Sequence, residues 1–388
     1  MNREFDNYLS ARSRSLAVSK IREIAELGFD QPNVIPLWFG EGAWPSAENI
    51  VATAVASLEA GDHFYQPNSG KMVLREEVVS YTNRVYNASV DVSNVTITAS
   101  GTQGLALVAQ AIISPGDKVV VLEPGWPNIS QSFEISGASV LTKTLEVKED
   151  RWHLDMNELL SALTPETKAV VLNSPNNPTG WVMPSEQQLQ LLTHCRKYGI
   201  WIISDDVYAR LYADGAAAPS FLSMTNPDDL FISIDSFSKA WSMTGWRLGW
   251  LIAPLQLEST LAMLTEFNIA CPPGFIQQAG VVALKEGEDR LRELQGQLEN
   301  SYALAASRLR NMKGVRFIAS TGAFYCFFSV NGATDSMLLA RKLLQESGVG
   351  LAPGIAFGAA GEGYLRLCYA QPEKVLIEAF DRLETVIN

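Results

Sequence analysis

The chain reads as an α/β protein, with a mostly parallel, doubly wound sheet in a large domain and a smaller α+β domain beside it. Three features of its 388 residues predict this. First, short and nearly unbroken apolar runs recur at 95–98, 118–122, 168–172, 199–203 and 230–234. Such runs read as strands buried on both faces, which parallel sheets require. Second, helical stretches at 105–113 and 185–198 alternate with these runs, the pattern of a doubly wound sheet. Third, the pattern changes late in the chain, to extended runs at 315–319, 322–328 and 364–369 interleaved with helices at 335–346 and 372–386. The expected division is a large domain over 46–284 and a small domain built from 1–45 and 285–388.

Before the first run, residues 12–28 pattern as an amphipathic helix, with Leu16, Ile21, Ile24 and Leu27 on one side. Residues 34–39 look extended and end at Gly40-Glu41-Gly42, where glycines allow the backbone a close approach. Pro45-Ser46 with Glu48 opens a helix to about Ala60. The segment from His63 to Lys71 is a polar, aromatic loop. Its Gly70-Lys71 is no phosphate-binding P-loop, since Met72 stands where Ser or Thr is needed. A helix is expected at 73–86. Residues 284–312 read as one long charged helix able to link two domains.

Composition narrows the function. With 47% apolar residues the chain is an ordinary folded protein, and a formal net charge of -12 argues against nucleic acid as a partner. Cys195, Cys271, Cys326 and Cys368 are scattered, so free thiols are expected. The start, Met1 to Asp6, has no apolar core of a signal peptide. The weakly polar stretch 348–361 is broken by Pro353 and cannot span a membrane. A cytoplasmic protein with no membrane association is the expectation. Only His63, His153 and His194 occur, without a His-Glu-x-x-His motif, so no metal site is expected.

The unusual residues share one position. Gly101, Trp126, Asn177, Asp205, Tyr208, Ser236 and Lys239 all fall at or just past the C-terminal ends of expected strands, where open α/β sheets bind ligands. Gly101-Thr102 opens a helix, whose free N–H groups and dipole favour an anion. Ser236 adds a hydroxyl, and Arg247 adds a planar cation suited to phosphate. Lys239 sits between two apolar runs, where desolvation would make its amine a nucleophile toward aldehydes. Asp205 offers a carboxylate and Trp126 a flat apolar face. A phosphorylated aromatic aldehyde answers all of these, and pyridoxal 5'-phosphate (PLP) is such a molecule. Ser236-x-x-Lys239 matches a penicillin-binding motif, but that motif's companions are missing. Gly348-x-Gly350 and Gly361-x-Gly363 are incomplete dinucleotide fingerprints.

The motifs Gly101-Thr102, Pro124-Gly125-Trp126-Pro127, Asn177-Pro178-Thr179-Gly180, Asp205-Asp206-Val207-Tyr208, Ser236-Phe237-Ser238-Lys239 with Gly245-Trp246-Arg247-Leu248-Gly249, and Tyr364-Leu365-Arg366 occur in that order. From about residue 30 to the end, the chain resembles the class I/II aminotransferase family of fold-type I PLP enzymes. The resemblance implies the PLP-dependent transferase fold. It also implies transfer of an amino group from an L-amino acid to a 2-oxo acid by a ping-pong mechanism. Lys239 is then the Schiff-base lysine and proton shuttle, and Asp205 the partner of the pyridine nitrogen. Asn177 and Tyr208 bond the ring oxygen, and Trp126 stacks on the ring. Gly101, Thr102, Ser236 and Arg247 hold the phosphate, and Arg366 clamps the substrate carboxylate near the Gly40 backbone. Tyr65 reaches the phosphate of the other subunit, which implies a homodimer with shared active sites.

Relatives often carry Glu-Pro-Asp-Phe-Pro where this chain has Glu41-Gly42-Ala43-Trp44-Pro45, and an apolar residue where it has Lys71. Trp44 or Lys71 is therefore a candidate for selecting the substrate side chain. Two other outcomes remain open on the same scaffold. One is a PLP-dependent β- or γ-eliminating lyase. The other is a non-catalytic PLP-binding regulator, which would be expected to carry a DNA-binding domain ahead of residue 30.

Overall fold

A computed structural model describes residues 8–387 of the chain. The charged start from Met1 to Asp6 lies outside the described residues. Seven strands form one sheet: β1 (Val95–Thr98), β2 (Lys118–Glu123), β3 (Ser139–Thr144), β4 (Thr167–Asn173), β5 (Trp201–Asp205), β6 (Phe231–Ser236) and β7 (Gly249–Ile252). Their spatial order is β1-β7-β6-β5-β4-β2-β3. Only β7 runs against its neighbours, pairing antiparallel with β1 and β6, while the other pairs are parallel.

Alternation within the strands explains their unbroken apolar runs. Val119 and Val121 of β2 belong to one apolar core, and Val120 and Leu122 to a second. Ala169 and Val171 alternate with Val170 and Leu172 in the same way on β4. Both faces of the sheet are therefore covered, as a doubly wound sheet demands. Each fully buried Val, Leu or Ile contributes roughly 1.5–3 kcal/mol, so the sheet is a rigid platform for whatever its ends carry.

A second, four-stranded sheet follows: β8 (Val315–Arg316), β9 (Tyr325–Val330), β10 (Ala352–Pro353) and β11 (Tyr364–Cys368), in the order β8-β9-β11-β10. Its pairs are antiparallel. The N-terminal residues Ile35–Pro36 pair in parallel with Val349–Gly350, tying the start of the chain to this late region.

Several elements differ from expectation. Residues 12–28 do not form one helix. Helices span Ala11–Ser15 and Lys20–Gly28, because the Ser19 side chain caps the second through the Arg22 N–H. Leu16 and Leu27 are exposed, and the buried face is Ile21, Ile24, Ala25 and Gly28. Only two residues of the expected extended run 34–39 are in a strand. The long helix is Glu288–Asn311, and residues 284–286 end the preceding helix, Gly274–Glu286. Edge strand β3 and the hairpin Glu146–Lys148 with Arg151–His153 have no counterpart in the sequence reading. Their residues are mostly exposed, so no apolar run marks them.

Candidate active site

The reversed direction of β7 builds the site. To run back beside β6, the chain must turn at the C-terminal end of the sheet. It does so through the short helix Phe237–Ala240 and the turn Thr244–Trp246. Ser236, Lys239 and Arg247 therefore all hang over that one edge. Arg247 closes the turn in the left-handed region at φ 58. That conformation costs a residue with a Cβ about 1–2 kcal/mol. Gly249 then lets β7 pass close to the opening of helix Gly101–Ile112. A Cβ there would stand 2.7 Å from the Asp235 carbonyl oxygen and 3.0 Å from the Gly101 nitrogen. Ser100 accepts the Gln103 N–H at 3.0 Å and caps this helix.

These edges enclose a cleft of about 220 Å³. It is lined by Gly40, Gly101, Thr102, Trp126, Asn177, Asp205, Tyr208, Ser236, Lys239, Arg247 and Arg366. Every expected site residue except Tyr65 is thus brought to one place. Tyr65 is 88% exposed and lies away from the cleft of its own chain. Lys71 is ion-paired with Asp62, which also accepts the Ser57 hydroxyl at 2.8 Å. Trp44 lines a separate open depression with Trp246 and Phe275. Neither Lys71 nor Trp44 lines the cleft of its own chain.

The cleft also holds residues that sequence reasoning missed, among them Asn173, Thr244 and Tyr325. Asn173 ends β4, so the strand-end rule covers it. Tyr325 lies inside a run that reads as an ordinary strand and carries no comparable signal.

Electrostatics set the cleft apart from the acidic chain around it. Lys239 donates its Nζ to the Gly40 carbonyl at 2.5 Å. Burial pulls its pKa down to about 8, and the nearby Arg366 and Arg247 cations act in the same direction. Asp205 is buried at the end of β5, where one oxygen accepts the Val207 N–H at 3.3 Å. Burial raises its pKa to about 7, with the Asp206 charge adding to the rise. Asp206 itself is held by the hydroxyls of Ser204 and Ser233 at 2.6 and 2.7 Å.

Arg366 is 2% exposed. Its Nη1 donates to Asn177 at 2.8 Å, and its Nη2 donates to the Trp38 carbonyl. Its Nε has no partner, and among the described residues no carboxylate pairs with it. The rings of Tyr325 and Phe357 flank it at 4.5 and 4.7 Å. A buried guanidinium left with a free donor is a receptor for an anion. The Asn177 loop is fixed in turn, since Asn173 accepts the Asn177 N–H at 2.8 Å and donates to the Asp205 carbonyl at 3.0 Å.

Two cations, a suppressed lysine and a buried carboxylate meet at the edge of a doubly wound sheet, where open α/β sheets bind ligands. The family model for aminotransferase class I and II matches residues 35–383, and the chain belongs to that family. It is 33% identical to an aspartate aminotransferase of Pyrococcus horikoshii, over 98% of this chain and 97% of the relative. It is 32% identical to one of Thermotoga maritima, over 95% of both chains. The solved aspartate aminotransferase from Thermus thermophilus with maleate superposes with a TM-score of 0.90 at 28% identity, over 97% of this chain and 99% of that one. The protein is an aminotransferase. Among the described residues, no helix is long and apolar enough to cross a membrane.

Proposed function

We propose that this aminotransferase works with PLP held in the cleft, as a homodimer with shared sites, and cycles between an L-amino acid and a 2-oxo acid. The observation that carries this reading is Lys239, a desolvated amine in one cleft with the buried carboxylate of Asp205 and the unpaired cation of Arg366. The donor set suits the cofactor. The capped helix end at Gly101-Thr102, Ser236 and Arg247 would hold its phosphate, Trp126 its ring face, and Asp205 its ring nitrogen. Asn177 and Tyr208 would bond its ring oxygen. When bound, PLP supplies an aldehyde that takes up amines and a ring that withdraws electrons. Arg366 would orient the substrate through its carboxylate, with the Gly40 backbone beside it. Lys239, half uncharged near pH 8, would take the proton from the substrate Cα and deliver it to the cofactor carbon that carried the aldehyde.

We also assign residues 46–284 to a large domain, and 1–45 with 285–388 to a small one. The parallel pairing of Ile35–Pro36 with Val349–Gly350 supports that division. Four free cysteines suit a cytoplasmic location.

The test offers amino acids alone to the PLP-loaded protein, then adds 2-oxo acids. The expected result is one equivalent of oxo acid per site from amino acid alone, and continuous turnover once an acceptor is present. Steady release of ammonia without an acceptor would instead mark an eliminating lyase. Lys239→Ala is expected to abolish multiple turnover and the visible absorption of the loaded protein. Relatives carry names for aspartate, aromatic amino acids and N-acetyl-LL-diaminopimelate, so the donor panel should span those side chains.

A further inference from the structure

We infer that Tyr325 is a positioning residue that fixes the direction in which the Tyr208 hydroxyl donates its proton. This rests on the PLP reading above and extends it to a residue outside the expected motifs. The two hydroxyls stand 2.7 Å apart, and both side chains are buried. Two phenols in contact share one hydrogen bond, so one donates and the other accepts. Tyr208 can donate into the cleft only if it accepts from Tyr325. The surroundings favour that order. The ring of Tyr325 lies against the Arg366 cation at 4.5 Å, which favours release of its proton toward Tyr208. Its oxygen is packed over Gly40, where an added Cβ would approach to 1.9 Å, so little room remains for another partner on that side. The other titratable groups facing the pair are Asp205, Lys239 and Cys368.

Chained hydrogen bonds strengthen one another, so a donor behind Tyr208 makes Tyr208 a better donor in front. A donor on the cofactor's ring oxygen stabilises its anionic form and lowers the pKa of the neighbouring Schiff-base nitrogen. Removing the Tyr325 hydroxyl should therefore raise that pKa. The effect should pass entirely through Tyr208.

The experiment is a pH titration of the visible absorption of the PLP-loaded protein without substrate. Tyr325→Phe, which keeps the ring against Arg366, is expected to raise the midpoint by roughly 0.5–1 unit. Tyr208→Phe should raise it further, and Tyr208→Phe/Tyr325→Phe should match Tyr208→Phe alone. A 3-fluorotyrosine at position 325, a stronger donor of nearly the same shape, should lower the midpoint. It also serves as the test if Tyr325→Phe fails to fold. An unmoved midpoint in Tyr325→Phe, or a further rise in the double variant, overturns the inference while the cofactor reading stands. A wild-type protein that takes up no PLP overturns both.

Discussion

At the scale of single residues, the site stores opposed protonation preferences. In the proposed role Asp205 would have to stay charged to face a pyridinium, yet without a ligand its burial favours the neutral acid. Its pKa in the folded chain, about 7, lies above the ordinary 3.8. Between those two values the folded chain holds more protons than the unfolded one. The stability tied to Asp205 is therefore complete below pH 3.8 and is lost as pH rises through about 7. Asp205→Asn should thus stabilise the PLP-free protein at pH 8, on the order of 4 kcal/mol. The gain should fade as the pH is lowered to 4, while PLP affinity and turnover are lost. Thermal melts across that range check this, and a gain that does not change with pH would contradict it. Function here costs stability, and the bound cofactor is what would offset the cost.

At the scale of elements, most of the site was legible because strand ends are legible. An apolar run followed by Gly, Asn, Asp or Ser marks both the end of a strand and the edge where ligands bind. Gly101, Asn177, Asp205 and Ser236 declare themselves in that way. Tyr325 does not, because its position depends on register between distant strands. It pairs with Cys368 on β11, which puts it diagonally across from Arg366 on the same face. No local pattern in β9 specifies that pairing. The helix break at Leu16–Ser19 escaped for the opposite reason, since one capping serine outweighs a continuing apolar period. The loop that carries Asn177 depends on Gly180, at φ +68. A Cβ there would stand 2.4 Å from the Ser320 Cβ and 2.7 Å from the Gly322 carbonyl oxygen. The Gly180 carbonyl accepts from the Thr321 and Gly322 N–H groups at 3.2 and 3.1 Å, so neither side can easily withdraw. Gly180→Ala should cost about 1–3 kcal/mol in urea unfolding. It should also weaken substrate binding, since Asn177 is one of the two groups that hold Arg366.

At the scale of the whole molecule, one surface is unfinished. The loop bearing Tyr65 leans on the segment after helix Glu258–Ile269, through Gln66 to Cys271 and Asn68 to Glu266. Phe64, Tyr65, Met72, Met263 and Phe267 are all exposed around it. Single exposed apolar side chains are ordinary, but a cluster of large ones marks a contact surface. In the proposed homodimer a second copy of the chain would cover it and carry Tyr65 toward the phosphate site proposed for the neighbouring chain. That arrangement makes a quantitative demand. In the proposed homodimer, Tyr65→Ala would remove a group from the partner's site, whereas Lys239→Ala would disable the site of its own chain. Suppose the two inactive variants are unfolded together and refolded in equal amounts. Half the dimers are then mixed, and each mixed dimer contains one site with both residues intact. About a quarter of wild-type activity should return. If Tyr65 served its own chain, every mixed dimer would contain two defective sites, and no activity would return. Tyr65→Ala mixed with wild type provides the control for its residual activity.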